Sequence, residues 1–106
     1  MGKEQQIQNT ILEFLRWNKY YCKRINSGMI KIEKRCIKMA PPGNSDIQGN
    51  TPDGRAFYVE VKAGKNTATK LQQDFIDARL KEKCIAFVAW NVEDVIEGFK
   101  KVGYIL

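Results

Sequence analysis

Two strand-like segments, residues 56–62 (AFYVEVK) and 84–90 (CIAFVAW), bracket a stretch of helical spacing. No other feature of the chain restricts its fold as much. Residues 67–83 place Leu71, Phe75 and Ala78 on one side of a helix, with Thr67 or Thr69 as N-cap. Strand, helix and strand in that order make a crossover unit, so the two strands lie parallel and the connection is right-handed. The second segment is almost wholly apolar, as expected of a central strand buried on both faces.

The rest of the chain extends this unit. Ile7, Ile11, Phe14 and Leu15 recur at helical spacing within residues 3–18. Residues 20–25 and 29–39 are rich in β-formers around a turn at Asn26-Ser27-Gly28, and predict two or three short strands. Pro41-Pro42-Gly43 ends that run, and residues 46–49 predict another short strand. Asn91 caps a last helix with Val92, Val95, Ile96 and Phe99 on one face. At 106 residues, the chain is expected to be one domain, 1–106. Its predicted class is α/β, a small mixed β-sheet flanked by helices.

Composition excludes several chemistries. The sequence has no histidine, which removes Ser-His-Asp triads, imidazole-ligated zinc and histidine bases. Cys22, Cys36 and Cys84 form no CxxC pair and read as small buried hydrophobes. No apolar run reaches the roughly 18 residues of a membrane span, and the polar start MGKEQQIQ has no signal-peptide core. The expectation is an intracellular, cytoplasmic protein with no membrane partner.

The net charge is +6, and it is concentrated. Residues 19–39 hold Lys19, Lys23, Arg24, Lys31, Lys34, Arg35 and Lys38 against Glu33 alone, seven positive charges minus one negative. The remaining residues balance to zero. Such a block suits a polyanion, most simply nucleic-acid phosphates. The plain alternative is a solvated basic hairpin.

Within residues 57–62 the side chains alternate, with Phe57, Val59 and Val61 towards a core and Tyr58, Glu60 and Lys62 on the other face. A lone Glu-x-Lys on a strand is ordinarily a solvated polar face. The preceding turn changes that reading. In Thr51-Pro52-Asp53-Gly54-Arg55, proline presets the first turn position and Gly54 can adopt the left-handed conformation. A three-residue loop, Pro52-Asp53-Gly54, pairs residues whose numbers sum to 106, and sets Asp46 directly opposite Glu60. Two carboxylates at ~5 Å repel unless a cation lies between them. Mg²⁺ takes one or two carboxylates, waters and substrate phosphate oxygens. Lys62, on the same face, would orient a water or stabilise developing charge, and the Val61 carbonyl is a further candidate ligand. These parts suit metal-assisted phosphodiester hydrolysis.

Asp46 followed by Glu60-Val61-Lys62 resembles the Asp…Glu-x-Lys signature of the PD-(D/E)xK nuclease superfamily. The whole chain is similar, more narrowly, to the VRR-NUC family. The resemblance rests on Glu4 in the first helix, Arg24-Ile25-Asn26-Ser27-Gly28, Gly43-Asn44-Ser45-Asp46-Ile47, and Gln72-Gln73-Asp74-Phe75 after the Glu-x-Lys strand. Ser45 stands where the family often has proline. The resemblance implies a restriction-endonuclease-like core and Mg²⁺- or Mn²⁺-dependent DNA cleavage. It also implies homodimers and, for some members, action on branched DNA such as four-way junctions. It makes Asp46 and Glu60 metal ligands, Lys62 the catalytic lysine and Glu4 a further acidic site residue. Gln72, with Gln73 adjacent, would support the site from the second helix.

Taken singly, Glu4 is a first-turn glutamate favoured by the helix dipole. Lys23, Arg24, Asn26, Lys34 and Arg35 are expected to contact DNA phosphate. Trp17 and Trp90 are expected to pack, Tyr20-Tyr21 is open between core, stacking and dimer contact, and Lys65 and Lys70 would extend the phosphate path. Two rival readings are a non-catalytic nucleic-acid-binding module on a nuclease-like core, and a basic ribonucleoprotein component.

Overall fold

The computed structural model describes residues 2–25, 28–32, 35–40 and 45–106, the second and third ranges by their backbone alone. The order is α1 (Lys3–Trp17), β1 (Tyr21–Arg24), β2 (Gly28–Ile32), β3 (Arg35–Ala40), β4 (Ile47–Asn50), β5 (Ala56–Val61), α2 (Lys70–Lys81), β6 (Ile85–Ala89) and α3 (Val92–Lys100). Four strands form a mixed sheet in the order β1-β4-β5-β6, and β2 pairs with β3 as a separate antiparallel hairpin. Among the described residues no helix is long and apolar enough to cross a membrane.

The turn sets the sheet's register. Gly54 adopts φ +92°, its N–H donates to the Thr51 carbonyl, and the Thr51 N–H donates to the Arg55 carbonyl, both at 2.9 Å. The three-residue loop then pairs Asn50 with Ala56, Gly49 with Phe57, Gln48 with Tyr58 and Ile47 with Val59. The Tyr104 hydroxyl donates to the Asp53 carboxylate, at 2.9 and 3.0 Å to its two oxygens, and fastens the C-terminal segment to this loop.

β5 and β6 run parallel across α2, as the crossover requires. The position of β6 differs from expectation: it lies at the edge of the sheet, and β5 takes the inner place. Its apolar run reflects cover on its two faces, since Phe87 packs on Phe99 of α3 while α2 lies over the opposite side. A row of apolar side chains reports what covers a strand's faces and carries no information about its hydrogen-bonding edges.

Phe57, Val59 and Val61 are fully buried with Ile11 and Leu15 of α1 and Val95 and Phe99 of α3. Phe99 is the hub, meeting Phe57, Tyr20 and Phe87 edge-on at centroid separations of 5.2, 5.3 and 5.6 Å. Edge-on aromatic contacts of this kind each add about 0.5–1.5 kcal/mol to the burial itself. α2 is shorter than residues 67–83 and buries Ile76, while Leu71 in its first turn is exposed. Thr69 caps it, closing a capping box with Gln72. Asn91 caps α3 through the Asp94 N–H at 2.8 Å.

The three helices among the described residues end alike. The N–H groups of Tyr20, Cys84 and Tyr104 return to the carbonyls of Leu15, Arg79 and Phe99, the six-to-one bond of a Schellman turn. The left-handed residue is Gly103 after α3, but Lys19 after α1 and Lys83 after α2.

Candidate active site

Glu60 lies on the β5 face opposite Phe57 and Val59. It is 1% exposed. Cover on that face begins one pair away, where Phe75 of α2 sits edge-on to Tyr58 at 5.4 Å. Lys62 Nζ stands 3.7 Å from Glu60 Oε2 and is itself largely buried.

Asp46 reaches the same spot by a different route from the one the register suggested. β4 starts at Ile47, so the β4–β5 ladder stops one rung short of an Asp46–Glu60 pair. In place of that rung, Asp46 Oδ2 accepts the Val61 N–H at 2.8 Å. The Asp46 carbonyl accepts the Ile25 N–H at 2.8 Å, so this one residue joins the ends of β1, β4 and β5. The Lys62 N–H donates to the Ala89 carbonyl at 3.0 Å, which ties β6 to the same corner.

Burial pushes the Glu60 carboxyl up to about 8, with a side-chain hydrogen bond to Asp46 as the next cause and the Asp46 and Glu4 charges adding to it. The Lys62 ammonium opposes the shift without overcoming it. Glu60 Oε1 is buried and has no hydrogen-bond partner. A buried oxygen with no donor normally costs about 1–3 kcal/mol, more when it is charged. Two adjacent carboxyl groups, one with an orphaned oxygen, fit a hard divalent cation, which takes only oxygen ligands. Among the described residues no cluster of three or more His, Cys, Asp or Glu is placed to hold a metal. The protein ligands of such a cation would therefore be Asp46, Glu60 and backbone carbonyls such as that of Val61.

The other expected residues divide. Glu4, in the first turn of α1, is close enough for its charge to act on Glu60. Gln72 uses its carboxamide oxygen to accept the Thr69 N–H at 2.9 Å in the capping box, and Gln73 donates to Asp77 at 3.0 Å. Lys23 is exposed on β1. The Arg24 guanidinium turns to α1, where Nη2 donates to Asn9 Oδ1. Asn26 and Lys34 lie outside the described residues, as do Ser27, Gly43 and Asn44, and of Arg35 only the backbone is described. Lys65 is exposed, while Lys70 is engaged with Asp74 at 3.1 Å. Cys22 is buried, Cys84 is half-buried, and the Cys36 side chain lies outside the described residues.

The expectation that both tryptophans pack is only partly met. The half-buried Trp90 donates its indole N–H to the Asn66 carbonyl at 2.9 Å, but Trp17 is 85% exposed. Tyr20 is core and its neighbour Tyr21 is 67% exposed. Asn9 carried no signal in the sequence, because its partner Arg24 is fifteen residues away on another element.

No family model matches the chain, and no curated protein matches it. It is similar to a solved structure described as a "VRR_NUC domain", with a TM-score of 0.69 at 19% identity, covering 98% of this chain and 100% of that one. Likeness at that identity establishes the fold: this α/β chain, with its mixed sheet and three helices, has the architecture of a VRR-NUC domain.

Proposed function

We propose that this chain is a VRR-NUC nuclease, a divalent-metal-dependent DNA endonuclease that hydrolyses phosphodiester bonds and selects branched DNA such as four-way junctions. One observation carries the reading: the buried Glu60 Oε1 without a hydrogen bond, beside a second carboxylate and an ammonium. A fold stabilised only by packing gains nothing from that arrangement.

Asp46 and Glu60 would hold Mg²⁺ or Mn²⁺. Such a cation, when bound, supplies Lewis-acid polarisation of the phosphodiester and a more acidic water. Asp46 is held in orientation by the Val61 N–H. Glu60 would have to be deprotonated to serve as the second anionic ligand. Lys62, anchored beside Glu60, faces the reacting phosphate with a positive charge that stabilises the charge developing on it. Lys23 and the basic block beyond it hold the backbone. A homodimer follows if both strands of a junction are cut symmetrically, because one core carries one carboxylate pair and the two cuts require a two-fold axis.

The test is cleavage of supercoiled plasmid, flap, four-way junction and linear duplex with Mg²⁺ or Mn²⁺, beside Asp46→Ala. Cation-dependent cleavage by the wild type alone is expected, with the branched substrates, flap or four-way junction, preferred over linear duplex. Equal activity in wild type and variant would mean contamination and end the catalytic reading.

A further inference from the structure

The corner where α1 meets β1 exposes two large rings that the core does not take up, Trp17 and Tyr21. Between them the chain passes through the Schellman turn, and only Tyr20 enters the core. Cys22 points to α1, its Sγ lying 3.9 Å from the Leu12 carbonyl oxygen. By alternation Tyr21 and Lys23 face the other side of the sheet, the side that carries Glu60 and Lys62. Register confirms the placement: Lys23, Gln48 and Tyr58 form one row across the sheet, and Tyr21, Asn50 and Ala56 the next.

β1 also leads to the carboxylates. Arg24 pairs with Ile47, and the Ile25 N–H donates to the Asp46 carbonyl. Four residues of extended chain separate Tyr21 from Ile25, roughly 13 Å. A strand of a few nucleotides spans that distance. Lys19 and Lys23 are exposed along the way, and neither makes an ion pair among the described residues.

We propose that this face of β1, with Tyr21 and Lys23, is a stacking track that leads an unpaired nucleic-acid strand to Asp46 and Glu60. The proposal rests on the nuclease reading above and names the form of substrate that the site accepts. An exposed ring beside uncompensated lysines suits a strand that offers both phosphates and free base faces. A duplex hides its base faces in its own stack and presents only phosphates and groove edges. A second copy of the chain would bring the same positive charges together across an isologous contact.

The test is fluorescence-anisotropy binding, in EDTA, of a labelled oligothymidylate and of a duplex of equal length. Tyr21→Ala is expected to weaken the single strand about tenfold and to change duplex affinity less than about twofold, while Trp17→Ala, on the side of α1 away from the sheet, changes neither. Equal losses on both DNAs in Tyr21→Ala, or no loss on either, overturn the track. Sedimentation adds a further arm: a wild-type dimer that dissociates on Tyr21→Ala would make this face a subunit contact instead. Binding is read without metal. Failure of the track therefore leaves plasmid cleavage standing, whereas loss of cleavage with selective binding intact would sink the nuclease reading alone.

Discussion

Asp46 Oδ2 accepts the backbone N–H of Val61 at 2.8 Å, so a carboxylate serves as the last rung between β4 and β5. One residue thus has two separable duties, closing the sheet and presenting an acidic oxygen beside Glu60. Asn at this position keeps an acceptor for the Val61 N–H but loses the charge. Asp46→Asn is expected to stay within about 0.5 kcal/mol of wild type in urea unfolding, whereas Asp46→Ala loses about 1–2 kcal/mol. Both are expected to lose plasmid cleavage by a factor of about a hundred or more, as removal of a principal electrostatic group does. Retained cleavage in Asp46→Asn would remove the acidic oxygen from the chemistry.

The Glu60 carboxyl, pushed up to about 8 by burial and by Asp46, makes the metal-free protein sensitive to pH. Between about 4.5 and about 8 the folded carboxyl keeps its proton while the unfolded one has released it, so the folded state binds more protons in that window. Stability therefore falls as pH rises through it and levels off above, by on the order of a few kcal/mol in all. Urea unfolding from pH 5 to 9 in EDTA should show that decline, and Glu60→Gln should flatten it. Mg²⁺ or Mn²⁺ at pH 8.5 should raise the wild-type Tm and leave that of Glu60→Gln unchanged. A rise of equal size in both proteins would place the cation elsewhere.

Gly49 pairs with both Cys22 and Phe57, and a Cβ there would lie 2.0 Å from the Tyr21 carbonyl oxygen and 2.7 Å from Phe57 Cζ. The first of these atoms is backbone and cannot swing away. Gly49→Ala should cost roughly 3 kcal/mol or more, in the range of overpacked cores. Because β1 and β4 would be forced apart, amide exchange should accelerate first at Lys23 and Ile25, whose N–H groups face β4. A neutral substitution would mean that this strand pair is looser than described.

Lys83 holds φ +65° in the Schellman turn after α2, a conformation that favours glycine. Its carbonyl accepts Arg55 Nε at 3.0 Å, a bond that the substitution keeps. Lys83→Gly should stabilise the fold by about 0.5–1 kcal/mol, read as a higher Tm with activity unchanged. Lys19→Gly should act in the same direction. A loss of stability at both sites would show that unfolded-state entropy outweighs the relief at the turn.

Much of this protein is legible locally. The Pro-Asp-Gly loop carries its own dihedral preferences, and with them the register that pairs Ile47 with Val59, one rung short of Asp46 and Glu60. Residues 67–83 have the length of a crossover, so β5 and β6 had to run parallel. Asn91 and Thr69 announce the starts of α3 and α2 through the oxygens that cap them. Each of these properties depends on residues a few positions apart, where side-chain chemistry acts directly on the neighbouring backbone.

Other properties came from distant parts of the chain meeting. Whether Glu60 is charged depends on the burial of its β5 face and on Asp46 and Glu4 arriving from other segments. The edge position of β6 depends on which strands found partners, and Asp46 left the ladder because a backbone N–H of β5 was within its reach. Trp17 and Tyr20 are both large aromatics near a helix end, yet only Tyr20 found Phe57 and Phe99 to pack against. Hydrophobicity and charge are carried by each residue along the chain. Desolvation and Coulomb interaction depend on distances through space, and only the assembled sheet and helices set those.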